Sequence, residues 1–270
     1  AGRPGAALLE QVGKGELVLV STGANDWLES NGSAERVSGG WRVTARKPFA
    51  SGAPAGDLLV TSVACETRGE GMQVLHFAVP FTAEGVSCGD DWQAMGMRGT
   101  GSASVTLDGV FVPDEAVVLS RPRGPFHPAF AVILTVALPL IMSAYLGTAE
   151  AAARIARDAA RNRAGDDTAA SLVGEMETRL TAGRLAVEDG VRLANGLDFA
   201  PTAEIASAAL MRKTLAAEAV LATGELALDV VGGAGFMRRT GLERLVRDLH
   251  GARFHPLPAE HWEDGVYLSP

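Results

Sequence analysis

The hydrophobic period changes once along this chain, and that change constrains the fold more than any motif does. From about Glu16 to Leu119 apolar residues sit in short alternating runs, such as Trp41-Arg42-Val43-Thr44, Leu58 to Val63, Gln73 to Val79 and Ser104 to Leu107, separated by glycine, proline and asparagine. From Phe130 onward they recur three or four apart in long alanine- and leucine-rich stretches. A period of two belongs to strands and a period near 3.6 to helices. The expectation is therefore an α+β chain: an antiparallel β-barrel or sandwich domain over residues 1–120, then a four-helix up-down bundle over 121–270.

Turn chemistry supports the first half. Asn31-Gly32, Gly39-Gly40 and Asp108-Gly109 tolerate positive φ, and Asp-Gly between β-branched runs reads as a hairpin. In the second half helices are expected near 129–162, 168–197, 201–231 and 240–250, with Thr168 and Thr202 as N-caps. Glu204 near a helix start suits the positive end of the dipole.

A chain of 270 residues with 24 basic against 32 acidic side chains, a net charge of −8, carries no basic field for nucleic acid. It has two cysteines, Cys65 and Cys88, and no cysteine and histidine cluster at metal-ligand spacing. That usage fits a reducing cytoplasm, with no metal and no disulfide framework. Ala129 to Gly147 is uncharged and long enough to span a bilayer. Pro139, Thr135 and Ser143 dilute it, and Glu150, Arg154 and Arg157 follow on the same helix, so it reads as a buried bundle helix rather than a membrane span.

The chain has no P-loop, HExxH, GxSxG or GxGxxG after a strand. Two glycine-rich segments stand out, Met95-Gly96-Met97-Arg98-Gly99-Thr100-Gly101-Ser102 and Val231-Gly232-Gly233-Ala234-Gly235-Phe236. Backbone amides in such segments can approach an anion closely, and equally a tight turn needs nothing more than the glycines.

The first of these, extended to Trp92-Gln93-Ala94 before it and to Val105, Leu107, Val110 to Pro113 and Glu115 after it, resembles the middle-domain signature of the acyl-CoA dehydrogenase superfamily. Lys213, then Ala227 to Phe236, then Glu243 to Asp248 resemble the family's terminal helices in type, order and spacing. Family members carry a further N-terminal helical domain of ~100 residues, which is not in this sequence. The opening Ala1-Gly2-Arg3-Pro4, without an initiator methionine, reads as the start of a fragment.

The resemblance implies a flavin, normally FAD, with its ring between the β domain and the helical domain. Leu19 to Asp26 stands where the family has its flavin-contacting loop, so Ser21 would supply a hydroxyl. Arg46 to Gly52 resembles the segment with an aromatic and a hydroxyl residue two apart, so Phe49 would cover the ring and Ser51 would hydrogen-bond to it. Arg163 matches an arginine that reaches the diphosphate in a partner subunit, and Gly232 and Gly233 match the family's paired glycines. Such a donated arginine implies a homodimer or homotetramer. Asp229 and Ala164-Gly165-Asp166 depart from the family pattern.

The dehydrogenation implied by the family needs a glutamate to take the proton α to a thioester carbonyl. Pro256 occupies its usual position, and no acid lies between Arg123 and Gly147, where other relatives carry it. Glu260 and Glu263 would reach the site only through a shifted loop. His255 is the nearest titratable group, with an alternative reading as a loop histidine, and His127 reads as a cap or a second proton carrier.

Three functional expectations follow from the resemblance. The first is an FAD-dependent oxidoreductase acting on the CH-CH group of an acyl thioester. The second is a two-component flavin-dependent monooxygenase of the same fold, using FAD or FMN on a hydrophobic small molecule, with Ser51 and His255 as the functional pair. The third is a truncated, non-catalytic family member.

Overall fold

The computed structural model describes residues 6–22, 26–163 and 165–257. Glu260 and Glu263, the tail beyond Leu257, Ala164 and the Gly23 to Asn25 part of the proposed flavin loop lie outside the described residues. The chain divides into two compact units, Ala1–Ala94 with Arg98–Pro125, and Met95–Met97 with Phe126–Pro270.

The first unit opens with a helix the sequence reading did not foresee, α1 (Ala6–Gly15). Eight strands follow: β1 (Leu19–Ser21), β2 (Ser33–Val37), β3 (Gly40–Lys47), β4 (Leu58–Thr67), β5 (Gly71–Pro80), β6 (Val86–Cys88), β7 (Val105–Pro113) and β8 (Val117–Pro122). They form one sheet in the order β6-β7-β3-β2-β4-β5-β8, with β1 beside β4. Most neighbours are antiparallel, but β1 and β2 both run parallel to β4, so the sheet is mixed. Alternation buries Val43, Ala45, Val105, Leu107, Val110 and Val112 on one face of β3 and β7.

Ser38 and Gly39 turn β2 into β3, Gly39 taking φ 76°, while Gly40 already pairs with Val37. Asp108-Gly109 does not make a hairpin. Gly109, at φ 62°, lies inside β7, where the register with β3 slips between Val43 and Ala45. Its positive φ is spent on a bulge, which keeps Val110 and Leu107 facing inward on either side.

A buried polar frame fixes the segment before β2. Lys47 Nζ, fully buried, donates to Asp26 Oδ1 at 2.6 Å and to Asn31 O at 3.0 Å. Asp26 Oδ2 accepts from Thr22 Oγ1 at 2.9 Å. Arg121, also buried, donates to Trp27 O and Leu28 O at 2.8 and 2.7 Å.

The second unit is the helical half: α2 (Pro128–Arg161), α3 (Asp167–Leu193), α4 (Ala203–Val231) and the short α5 (Leu242–Leu249). Its core is rich in small residues, Ala149, Ala152, Ala153, Ala156 and Ala216 among Met142, Met176, Leu180 and Val220. Helix α2 continues past Pro139, whose carbonyl accepts from Ser143 Oγ at 2.7 Å. By length and composition α2 could cross a membrane, yet 44% of its most apolar window is buried within the protein.

The caps follow short polar side chains. His127 Nδ1 accepts from Ala129 N, which fulfils its reading as a cap, and Thr202 accepts from Ile205 N. Thr168 is not a cap, because Asp166 takes that place and accepts from Ala169 N at 3.0 Å. The expected 168–197 helix stops at Leu193, since Asn195, Gly196 and Leu197 all have positive φ.

Candidate functional site

The aromatic and hydroxyl pair from the sequence falls on the loop after β3. Phe49 has φ 61°, a left-handed conformation that is unusual for a bulky side chain, and its ring is 62% exposed. It meets Trp92 edge to face, with ring centroids 6.4 Å apart. The loop is tied to the segment before β7 by two backbone bonds, Ala50 N to Ala103 O at 3.1 Å and Gly52 N to Thr100 O at 2.8 Å.

Those bonds align a row of hydroxyls. Ser51 Oγ lies 2.8 Å from Ser102 Oγ, which lies 2.7 Å from Thr100 Oγ1. Ser51 is the exposed outer end, and Ser102 is buried. The sequence marks Ser51 through its spacing from Phe49, and it marks Thr100 and Ser102 only through the repeated hydroxyls of Thr100-Gly101-Ser102. Ser21 ends β1 and is exposed.

In the helical unit His255 sits on the turn after α5. It is half-buried, with Nδ1 3.4 Å from the Tyr145 hydroxyl and the two rings edge to face at 6.2 Å. Burial pushes the imidazole pKa below its ordinary value, and the Lys213 ammonium lowers it further. Both effects favour the neutral imidazole. Burial raises Tyr145 to about 12, assisted by Asp248. Lys213 is buried in α4, donates to Leu257 O at 3.0 Å, and is lowered by burial to about 8.

The glycine-rich motif before β7 has a packing role. A Cβ on Gly96 would lie 2.0 Å from Arg247 O. Met97 N donates to Asp248 Oδ1 at 2.6 Å, and Arg247 Nη1 donates to Met95 O at 2.8 Å. The glycine permits residues 95–97 to pack closely on α5 within the second unit.

Arg163 lies at the joint between α2 and α3. Its guanidinium donates to Asp166 Oδ2 from two nitrogens, at 3.1 and 2.5 Å, and to Val230 O at the end of α4 at 2.9 Å. With Arg157, Arg161 and Asp166 it lines an open cavity of about 340 Å³. Gly232, at φ 68°, and Gly233 are exposed after α4, with open space where a Cβ would stand. Asp229 is exposed on the last turn of α4 and forms no ion pair with Arg238 or Arg239 among the described residues.

Residues 132–255 match the family model for the acyl-CoA dehydrogenase C-terminal domain. The chain is 30% identical to an amino sugar nitrososynthase of Streptomyces peucetius, over 97% of this chain and 66% of that protein. It is 28% identical to a dibenzothiophene monooxygenase of Mycolicibacterium goodii, over 94% and 70% of the two chains. It superposes with a TM-score of 0.84 and 24% identity on KijD3 in complex with FMN and a dTDP-linked amino keto sugar, covering 96% of this chain and 66% of that one. It thus spans about two thirds of the length of the relatives it matches. By fold, motif and relatives, this chain belongs to the acyl-CoA dehydrogenase superfamily, and the relatives named lie on its flavin monooxygenase side.

Proposed function

We propose that the chain is the β and helical portion of a flavin-dependent monooxygenase that oxygenates a small molecule. The observation that carries this reading is the row Thr100, Ser102 and Ser51 beside the exposed Phe49 ring. An aromatic face with a hydroxyl two residues on fits a flavin ring, which offers a flat surface and polar edge atoms. The relatives support oxygenation over thioester dehydrogenation, and so does proline at position 256 in place of a carboxylate.

A reduced flavin, when bound, supplies the electrons that activate dioxygen. Phe49 would cover the ring and keep water from it. Ser51 would donate a hydrogen bond at the ring edge, its proton aimed by Ser102 and Thr100. His255, whose burial favours the neutral ring and which lies beside the Tyr145 hydroxyl, would hold or accept a proton. Ser21 would give a further hydroxyl. FMN would meet Phe49 and Ser51, and Arg163 with the Gly232 and Gly233 amides would suit the diphosphate that FAD adds. Exposed Ile133 and Leu140 on α2 support self-association into a dimer or tetramer.

Titration of FMN and FAD with the protein, followed by flavin fluorescence, tests the cofactor. Saturable binding supports the reading, and no binding of either oxidised or reduced flavin contradicts it. Anaerobic mixing of the loaded protein with acyl-CoA thioesters separates the two chemistries. No bleaching is expected, and rapid bleaching would restore the dehydrogenase reading.

A further inference from the structure

We propose that Lys213 is the positioning residue for His255, a buried ammonium that clamps the histidine's segment against α4. This rests on the reading of His255 as the group that handles a proton.

An ammonium that is 3% exposed is costly to bury without a counter-charge. Among the described residues Lys213 forms no ion pair, and its hydrogen bond goes to Leu257 O, two residues past the histidine. A methionine would fill the same volume at lower cost. Besides the backbone bond from His255 N to Gly251 O, two side chains hold the segment among the described residues: Tyr145 of α2 reaches the ring, and Lys213 of α4 reaches the backbone beyond it. Among the described residues, the charged and titratable groups acting around His255 are Tyr145, Lys213 and, beyond Tyr145, Asp248 of α5. Tyr145, raised to about 12, carries no charge near neutral pH, and among the described residues the Lys213 charge acts on the imidazole.

The test is an NMR titration of ring-labelled histidine in flavin-free protein, with the His255 signal assigned by its loss in His255→Asn. Wild type and Lys213→Arg are expected to titrate at a low midpoint, and Lys213→Gln and Lys213→Met at a higher one. Lys213→Gln keeps a donor for Leu257 O, so amide exchange in residues 251–257 stays slow, whereas Lys213→Met accelerates it. In wild type alone, the His255 shift is expected to move a second time as Lys213 loses its proton near pH 8. One midpoint shared by all variants, or no second movement in wild type, would overturn the proposal. Neither measurement involves flavin, so this failure is distinct from a failure to bind the cofactor.

Discussion

Ser51 and Ser102 share a hydrogen bond of 2.8 Å between hydroxyl oxygens, and Thr100 reaches the same Ser102 oxygen at 2.7 Å. A hydroxyl has one proton to donate. If Thr100 donates to Ser102 and Ser102 to Ser51, the Ser51 proton is left for a partner outside the protein. Ser102→Ala is expected to leave both neighbours without their shared partner and cost about 1 kcal/mol of stability, read by urea unfolding. It is also expected to weaken reduced-flavin binding by up to about tenfold. An unchanged flavin affinity would show that Ser51 needs no alignment.

The glycines divide into two kinds. Gly96→Ala forces a Cβ onto the Arg247 carbonyl, and a loss of about 2–3 kcal/mol is expected in chemical denaturation. Gly233→Ala meets nothing within 4 Å, so stability should stay within about 0.5 kcal/mol. If Gly233 lies against the diphosphate, the same change lowers FAD affinity and leaves FMN affinity alone.

What the sequence could and could not reveal follows the range of each interaction. The period change located the sheet and the helices, and Thr202 and His127 were readable as caps because capping is local. The parallel pairing of β1 with β4 joins residues 39 apart, as at Leu19 and Leu58, and no local signal encodes it. Asp108-Gly109 carried a true backbone signal, positive φ, that a bulge and a hairpin share. Phe49 and Ser51 are singled out by resemblance, and the fold places both on the loop after β3. Ser102, Tyr145 and Lys213 gained their partners only when the fold brought distant segments together.

Breaking the Lys47 and Asp26 pair should be among the most damaging single changes in the β unit. Burial lowers the Lys47 pKa while Asp26 opposes the shift. Lys47→Met would strand the Asp26 carboxylate in the interior, at about 3–5 kcal/mol. The double variant with Asp26→Asn is expected to recover part of that loss in thermal melts. Additive losses would mean that the pair contributes no coupling.

Lys213 also predicts a pH dependence. Its folded pKa of about 8 lies below the ordinary 10.5, so between these values the unfolded chain binds more protons than the folded one. Stability from this group is full above the higher value and is lost as pH falls toward 8, by roughly 3 kcal/mol in all. Wild type should therefore gain on Lys213→Met between pH 8 and 10 in urea melts. Parallel curves for the two proteins would place Lys213 in contact with solvent or an acid.

The most direct measurement is the rate at which protein-bound reduced flavin regains its oxidised absorbance after mixing with oxygenated buffer, for wild type and Ser51→Ala. The account predicts slow recovery in wild type, and a rate faster by about tenfold or more when the hydroxyl is removed. Recovery in wild type as fast as that of free flavin, or identical rates in the two proteins, would contradict it.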